Sequence, residues 1–228
     1  MKLEPDFLRK VALFEELTEE ELQLVANLFR ERHYKRNDIV FFEEDTGNYM
    51  YIVKAGRVKV SRWLPNGKEM ILAFREPGEY FGEMSLLDGG TSPATVTAVV
   101  PSVVAFTTRR DFRKLLDNKE INRALLKMLC ARCREAWSQI EVLTFHNADA
   151  RIRTALYQLC QKKGVQTTRG VRINLQLTHN ELAAMTGIAR ESATRVLSNL
   201  QNEGALTVEA RQFLIADPEK LVDIRLFE

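Results

Sequence analysis

Between residues 177 and 200 the chain carries a pattern that few local structures satisfy. Thr178, followed by Glu181, has the form of a capping box: the hydroxyl accepts from a backbone N–H three residues on, and the carboxylate reaches back. Leu182 and Met185 follow at helical spacing. Gly187 suits a chain reversal, because glycine adopts the left-handed conformation at least cost. Ala193, Val196, Leu197 and Leu200 recur at three- and four-residue steps, the buried stripe of a second helix. Arg190, Glu191, Ser192, Thr194 and Arg195 crowd the first two turns, away from that stripe. The two segments predict a helix, a tight turn and a second helix whose polar face suits base edges in a major groove. Arginine grips guanine O6 and N7 with a fork, and a carboxylate accepts from cytosine N4, so a G·C-containing half-site on double-stranded DNA is expected. Thr178 and His179, at the start of the first helix, are placed for phosphate. A solvated face on a protein-binding helical domain is the plainer alternative. The cap, the glycine, the stripe and the polar face together favour DNA.

Charge points the same way. The whole chain is only +2, yet residues 151–200 carry eight Lys or Arg against Glu181 and Glu191, while residues 1–150 nearly cancel. A local excess in one small module suits phosphate neutralisation. No apolar run is long enough to span a membrane, and the N-terminus has no signal-peptide core, so a cytoplasmic protein with no membrane partner is expected. Cys130, Cys133 and Cys160 are too few for a disulfide scaffold. No nucleophile–base set, metal cluster or Walker loop is visible, so no enzyme is expected.

The remaining segments divide by period. Thr18 and Glu21 form a second capping box, opening an amphipathic helix over 18–31. From 33 to about 108, short β-branched and aromatic runs (39–42, 51–53, 58–60, 70–72, 94–100 and 103–106) alternate with turn signals such as Pro65-Asn66-Gly67 and Asp88-Gly89-Gly90, which predicts a small barrel or roll. From 109 the pattern is helical. Leu126, Leu129, Cys133, Ala136, Ile140 and Leu143 alternate by three and four, the seam of a two-stranded coiled coil and hence of a homodimer; packing on the chain's own roll is the alternative. Asn147-Ala148-Asp149 reads as a hinge, 150–162 as a further helix, and 206–208 with 213–215 as a wing closed across 209–212. The expected organisation is α+β: a sensor roll over 1–117, a dimerisation helix and hinge over 118–147, and a winged helix-turn-helix over 148–228.

This plan resembles the cyclic-AMP receptor protein/FNR family of bacterial transcription regulators over nearly the whole chain. The carriers are Tyr51-Ile52-Val53-Lys54-Ala55-Gly56-Arg57-Val58-Lys59-Val60, Phe81-Gly82-Glu83-Met84-Ser85-Leu86-Leu87-Asp88-Gly89-Gly90, and the Arg190–Arg195 segment. The resemblance implies a cyclic-nucleotide-binding-like roll, a palindromic TGTGA-like site read by Arg190, Glu191 and Arg195, and contact with RNA polymerase through the loop 162–170. The same roll regulates kinases and channels, but no kinase motif or membrane span accompanies it here. The family's iron–sulfur branch replaces the first arginine and carries N-terminal cysteines; this chain has neither feature, so no such cluster is expected.

One departure matters. In nucleotide-binding members the pocket is built on Gly82-Glu83, with Met84 and Ser85 opening an anion cradle of backbone N–H groups. An arginine and a hydroxyl residue then hold the cyclic phosphate. Here Ser92 and Pro93 stand at those positions, and Ala136 and Trp137 replace the small hydroxyl residues that meet the base. Losing a contact to a charged group costs roughly 1.5–3 kcal/mol, so tight binding of cyclic AMP is not expected. Either Glu83 is structural, held by nearby backbone N–H groups, or the pocket takes another small molecule. Haem is one candidate, with His33 and His146 as possible ligands. A thiol switch through Cys133 is another, against the plainer reading that Cys130 and Cys133 are buried small hydrophobes. Cys130 and Cys133 alone make a poor zinc site, so no metal is expected. A ligand-independent regulator is the last alternative.

Overall fold

The computed structural model describes residues 3–145, 147–209 and 212–222. The chain forms two compact units, Met1–Trp63 with Ile71–Arg132, and Leu64–Met70 with Cys133–Glu228.

The first unit opens with α1 (Pro5–Leu8) and α2 (Glu19–Ala26). Thr18 caps α2 as expected: its backbone N–H donates to Glu21 Oε2 at 2.8 Å, and its hydroxyl accepts from Glu21 N. The helix ends at residue 26, not 31, because Arg30–Tyr34 is a strand, β1. Next come β2 (Ile39–Phe41), β3 (Tyr49–Ala55), β4 (Val58–Trp63), β5 (Glu69–Arg75), β6 (Tyr80–Phe81), α3 (Met84–Asp88), β7 (Thr95–Ala98), β8 (Ser102–Thr108), α4 (Arg109–Leu115) and α5 (Lys119–Thr144). The strands make two four-stranded sheets, β1-β8-β3-β6 and β2-β7-β4-β5. β1 has no apolar alternation. It is a strand because it pairs along its whole length with β8, from Arg30 opposite Phe106 to Tyr34 opposite Ser102.

β3 shows how the roll is filled. Side chains alternate across a strand, so Met50 and Ile52 join a cluster with Phe14, Phe29, Phe112 and Leu125, while Tyr51 and Val53 join the roll interior with Phe81, Val96 and Val104. Both faces of β3 are buried, with about 1.5–3 kcal/mol gained for each large apolar side chain removed from water.

α5 carries two stripes. Ile121 and Leu125 are buried in the first unit's core. Leu126, Trp137 and Ile140 are 64, 67 and 58% exposed. Cys130, Cys133 and Ala136 are also exposed, which corrects the expectation that the two cysteines are buried. Leu129 and Leu143 are half-buried within the chain itself.

The second unit continues with α6 (Ala148–Lys163), β9 (Gly164–Thr167), β10 (Gly170–Ile173), α7 (His179–Thr186), α8 (Arg190–Asn202), β11 (Leu206–Glu209), β12 (Gln212–Ile215) and a closing 3-10 turn, Pro218–Val222. The break between α5 and α6 falls before Ala148. Asn147 caps α6 by accepting from Ala150 N at 2.6 Å, so Ala148 and Asp149 are helical rather than part of a hinge. The expected loop 162–170 is instead the end of α6 and a β-hairpin, in which Val165 pairs with Arg172. Gly170, at φ +125°, makes that reversal possible, and the Thr167 hydroxyl donates to its carbonyl at 2.8 Å. The wing pairs as expected, with Leu206 opposite Ile215 and Val208 opposite Phe213 in a sheet ordered β11-β12-β10-β9. Residues 210–211 of its turn lie outside the described residues.

Candidate nucleic-acid interface and effector site

The turn between α7 and α8 is fixed locally. Thr178 N donates to Glu181 Oε2 at 2.8 Å and the Thr178 hydroxyl accepts from Glu181 N at 3.1 Å, so two otherwise unpaired groups at the start of α7 are satisfied. Gly187 ends α7 at φ +67°. Ala193, Leu197 and Leu200 are fully buried and Val196 nearly so, which sets the rotation of α8. That rotation leaves Arg190, Glu191 and Arg195 exposed, with Ser192 and Thr194 half-buried beside them. His179 Nδ1 lies 3.2 Å from Thr194 Oγ1, so the starts of the two helices are joined by a side-chain hydrogen bond. Among the described residues, Arg190, Glu191 and Arg195 make no ion pair. Their donors and acceptors face water.

The structure also corrects the charge argument. Arg153 is buried and bridges Asp149 (2.7 Å) and Glu203 (2.9 Å), tying the start of α6 to the end of α8. Arg151 donates to the carbonyls of Phe145 (2.7 Å), Leu143 (3.3 Å) and Thr186 (3.2 Å), closing the C-terminal ends of α5 and α7. Arg169 pairs with Glu209 at 2.8 Å. These three arginines are structural. Lys162, Arg172, Arg190 and Arg195 keep their charge free of an ion pair among the described residues.

In the roll, Gly82 is left-handed at φ +83°, and a Cβ there would meet the Tyr49 carbonyl at 2.9 Å. Glu83 follows, with 0% exposure. No α3 backbone N–H holds its carboxylate, contrary to expectation; its side chain makes no cap bond. Arg132, from α5, holds it instead. One guanidinium nitrogen donates to Glu83 Oε1 and another to the Tyr80 carbonyl. The guanidinium also lies 5.3 Å over the Tyr80 ring. Glu83 Oε2 has no partner. Burial of a carboxylate is costly unless a cation and hydrogen bonds match it, and Arg132 supplies both. Sequence reasoning missed this residue, but a signal exists: Ile121, Leu125 and Met128 step by four and three along the buried face, and Arg132 is the next step.

The other expected pocket residues scatter. Ser85 is buried, and its carbonyl accepts from Arg109 at 3.3 Å. Ser92 is buried in a two-way backbone exchange, its N–H donating to Asp45 O at 2.9 Å and its carbonyl accepting from Glu44 N at 2.8 Å. Pro93, Met84, Ala136 and Trp137 are exposed. His33 is exposed on β1, and His146 lies outside the described residues. Among the described residues no cluster of His, Cys, Asp and Glu can hold a metal, and no helix is long and apolar enough to cross a membrane. Burial pushes the Cys160 thiol up to about 11.

Two family models match the chain: the cyclic nucleotide-binding domain over residues 31–119 and the Crp-like helix-turn-helix domain over residues 150–224. The chain is 35% identical to a cyclic AMP receptor protein of Thermus thermophilus over 206 residues, covering 88% of this chain and 92% of that one. It is 28% identical to a CRP-like cAMP-activated global transcriptional regulator of Mycobacterium tuberculosis, covering 95% and 97%. Among solved structures, the catabolite activator protein of Thermus thermophilus matches with TM-score 0.54 at 32% identity over 94% of this chain and 98% of that one. A CooA variant from Carboxydothermus hydrogenoformans shares the fold with TM-score 0.80 at 24% identity, covering 94% and 95%. With the free polar face of α8 and matches over both units, the chain belongs to the CRP/FNR family of DNA-binding transcription regulators.

Proposed function

We propose that the protein acts in the cytoplasm as a homodimer reading a palindromic, TGTGA-like site, under a signal received in the roll that is not cyclic AMP. The observation that carries the DNA reading is the unpaired Arg190, Glu191 and Arg195 at the start of α8. Thr178 and His179 hold phosphate, and Ser192 and Thr194 line the same face. Two such helices in one dimer meet successive major grooves roughly 34 Å apart. The exposed stripe Leu126, Cys133, Trp137 and Ile140 supports a second copy as the partner of α5, since apolar side chains this large gain by leaving water. In that arrangement Leu129, Ala136 and Leu143 flank the seam. The hairpin of β9 and β10 is the surface offered to RNA polymerase.

Relatives are named for cyclic AMP. Against that ligand here stand Ser92 and Pro93 in place of the phosphate-holding pair, and a Glu83 whose Oε1 is already bound by Arg132. The same ion pair favours a second reading, a ligand-independent regulator, because Arg132 of α5 itself supplies the cation that matches Glu83. Fluorescence anisotropy on a palindromic duplex, with sedimentation of wild type and Trp137→Glu, tests the proposal. The expected result is a dimer that binds the palindrome better than a scrambled duplex, with the variant shifted to monomer. Equal affinity for both duplexes defeats the base-reading role. Micromolar cyclic AMP binding in calorimetry defeats the ligand assignment.

A further inference from the structure

The exposed face of α5 has a register of its own. Leu126, Cys130, Cys133, Trp137 and Ile140 are all exposed, and they follow one another by four, three, four and three residues. That spacing is a heptad seam, and it runs through both cysteines rather than through Cys133 alone. Leu129 and Ala136 fall beside it. Neither seam cysteine is in a disulfide, and both are exposed, whereas the third cysteine, Cys160, is buried.

A coiled-coil seam is stable when the side chains of each layer fill the space between the helices. Leu126, Trp137 and Ile140 are large. Cys130 and Cys133 are short, and they occupy two successive layers between Leu126 and Trp137. When a second copy covers α5, the two helices run parallel, because two α8 helices reading one duplex have to lie at the same end of the pair. A residue on such a seam meets its own counterpart across the two-fold axis. Cys130 and Cys133 of one chain therefore face the same two residues of the other. Positions three apart on a helix have Cβ atoms about 5–6 Å apart, so four thiols converge on one small space, closed at both ends by apolar side chains. Among the described residues, one chain holds no group of three or more such ligands. A pair of chains holds four.

We propose that Cys130 and Cys133 of two copies form a four-thiolate site for a soft divalent cation, of the class of Zn²⁺ and Cd²⁺, at the α5 seam. The proposal rests on the homodimer reading. Sulfur ligands select such ions, and four of them suit a tetrahedral site with metal–sulfur bonds of about 2.3 Å for zinc. Binding turns four thiols into thiolates and releases their protons to solvent; no electron moves. Cd²⁺ titrated into the reduced full chain, free of oxygen, is expected to give a thiolate-to-metal charge-transfer absorption that saturates at one ion per two chains. Because the ion binds the dimer, sedimentation is expected to show dimer persisting at lower protein concentration with Cd²⁺ than without it. Cys130→Ser and Cys133→Ser each remove two of the four ligands and are expected to weaken binding by about 100-fold or more, beyond the roughly 10–100-fold that loss of an outer-shell partner costs. Cys160→Ser is expected to leave the titration unchanged. A dimer in sedimentation with no charge-transfer absorption overturns the site and leaves the dimer reading standing. Saturation at one ion per chain, or equal binding by Cys130→Ser, overturns the shared site. A monomer at every concentration, with or without Cd²⁺, overturns both. Thiols that close a covalent dimer in air, in a protein whose reduced form takes up no Cd²⁺, assign the pair to a disulfide and overturn the metal.

Discussion

At the start of α8, Arg190, Glu191 and Arg195 stand in water without an ion pair among the described residues, whereas in the roll Glu83 is fully buried and matched by Arg132. The two regions hold charge under opposite conditions. In water a charge needs no partner, so the exposed groups at the start of α8 stay free without cost. In the interior an unmatched carboxylate is costly, and the roll meets Glu83 with its own Arg132. The difference teaches that the family resemblance carries unequal weight in the two places. Arg190, Glu191 and Arg195, which we propose read DNA, match the resemblance in identity and are exposed as that role requires. Glu83 matches in identity, but its chemistry is engaged by a neighbour on α5.

The largest effect that sharpens this contrast is expected at the ion pair. Arg132→Ala leaves Glu83 buried without its cation, and breaking a buried pair from one side costs about 3–5 kcal/mol. Urea unfolding of the full chain, followed with a probe in the roll, measures it. Arg132→Ala combined with Glu83→Gln recovers much of the loss if the uncompensated charge is the cause. A single variant as stable as wild type breaks the comparison, because Glu83 then does not need Arg132.

The matching test at the other end is Arg195→Ala. The side chain is exposed and unpaired, so folding stability is expected to stay unchanged. Specific DNA affinity is expected to fall by roughly 1–3 kcal/mol, with relaxed preference at one base pair. Competition anisotropy against duplexes varied at each position reads this directly. A uniform loss across all sequences assigns Arg195 to phosphate instead.

The same contrast explains what was legible in the sequence. The α7–α8 unit was readable because its signals are local: a cap three residues from its partner, one left-handed glycine and a stripe at helical spacing. The roll's outline was readable from β-branched runs and turns. β1 was not, because Arg30–Tyr34 has no period and becomes a strand only through β8. The hairpin of β9 and β10 reads as a loop in the sequence because its strands are four residues each and β9 is largely exposed. Arg132 meets Glu83 across 49 positions. Such pairings are set by topology, and no spacing rule reaches them. Arg151 and Arg153 were counted as charge available to phosphate for the same reason: their partners are helix-end carbonyls and carboxylates brought close only by packing.

The smallest effect compares the two units through one motif. Thr18 and Thr178 make capping boxes of nearly the same geometry, with N–H to carboxylate distances of 2.8 Å in both. Replacing such a cap by alanine costs about 0.5–2 kcal/mol, typically near 1. Thr18→Ala and Thr178→Ala are therefore expected to lower stability by similar amounts in chemical denaturation. Their effects on DNA should differ. Thr18 caps α2 in the first unit, so its loss should leave DNA affinity unchanged under conditions where the protein is folded. Thr178 caps the helix that positions α8, and its exposed hydroxyl lies on the proposed phosphate-facing side, so its loss should weaken all duplexes alike without altering base preference. A Thr178→Ala variant that changes base preference would place Thr178 in direct contact with a base edge. Equal DNA affinities for both variants and wild type would show that the two boxes are alike in function as well as in form, and that the start of α7 does not touch DNA.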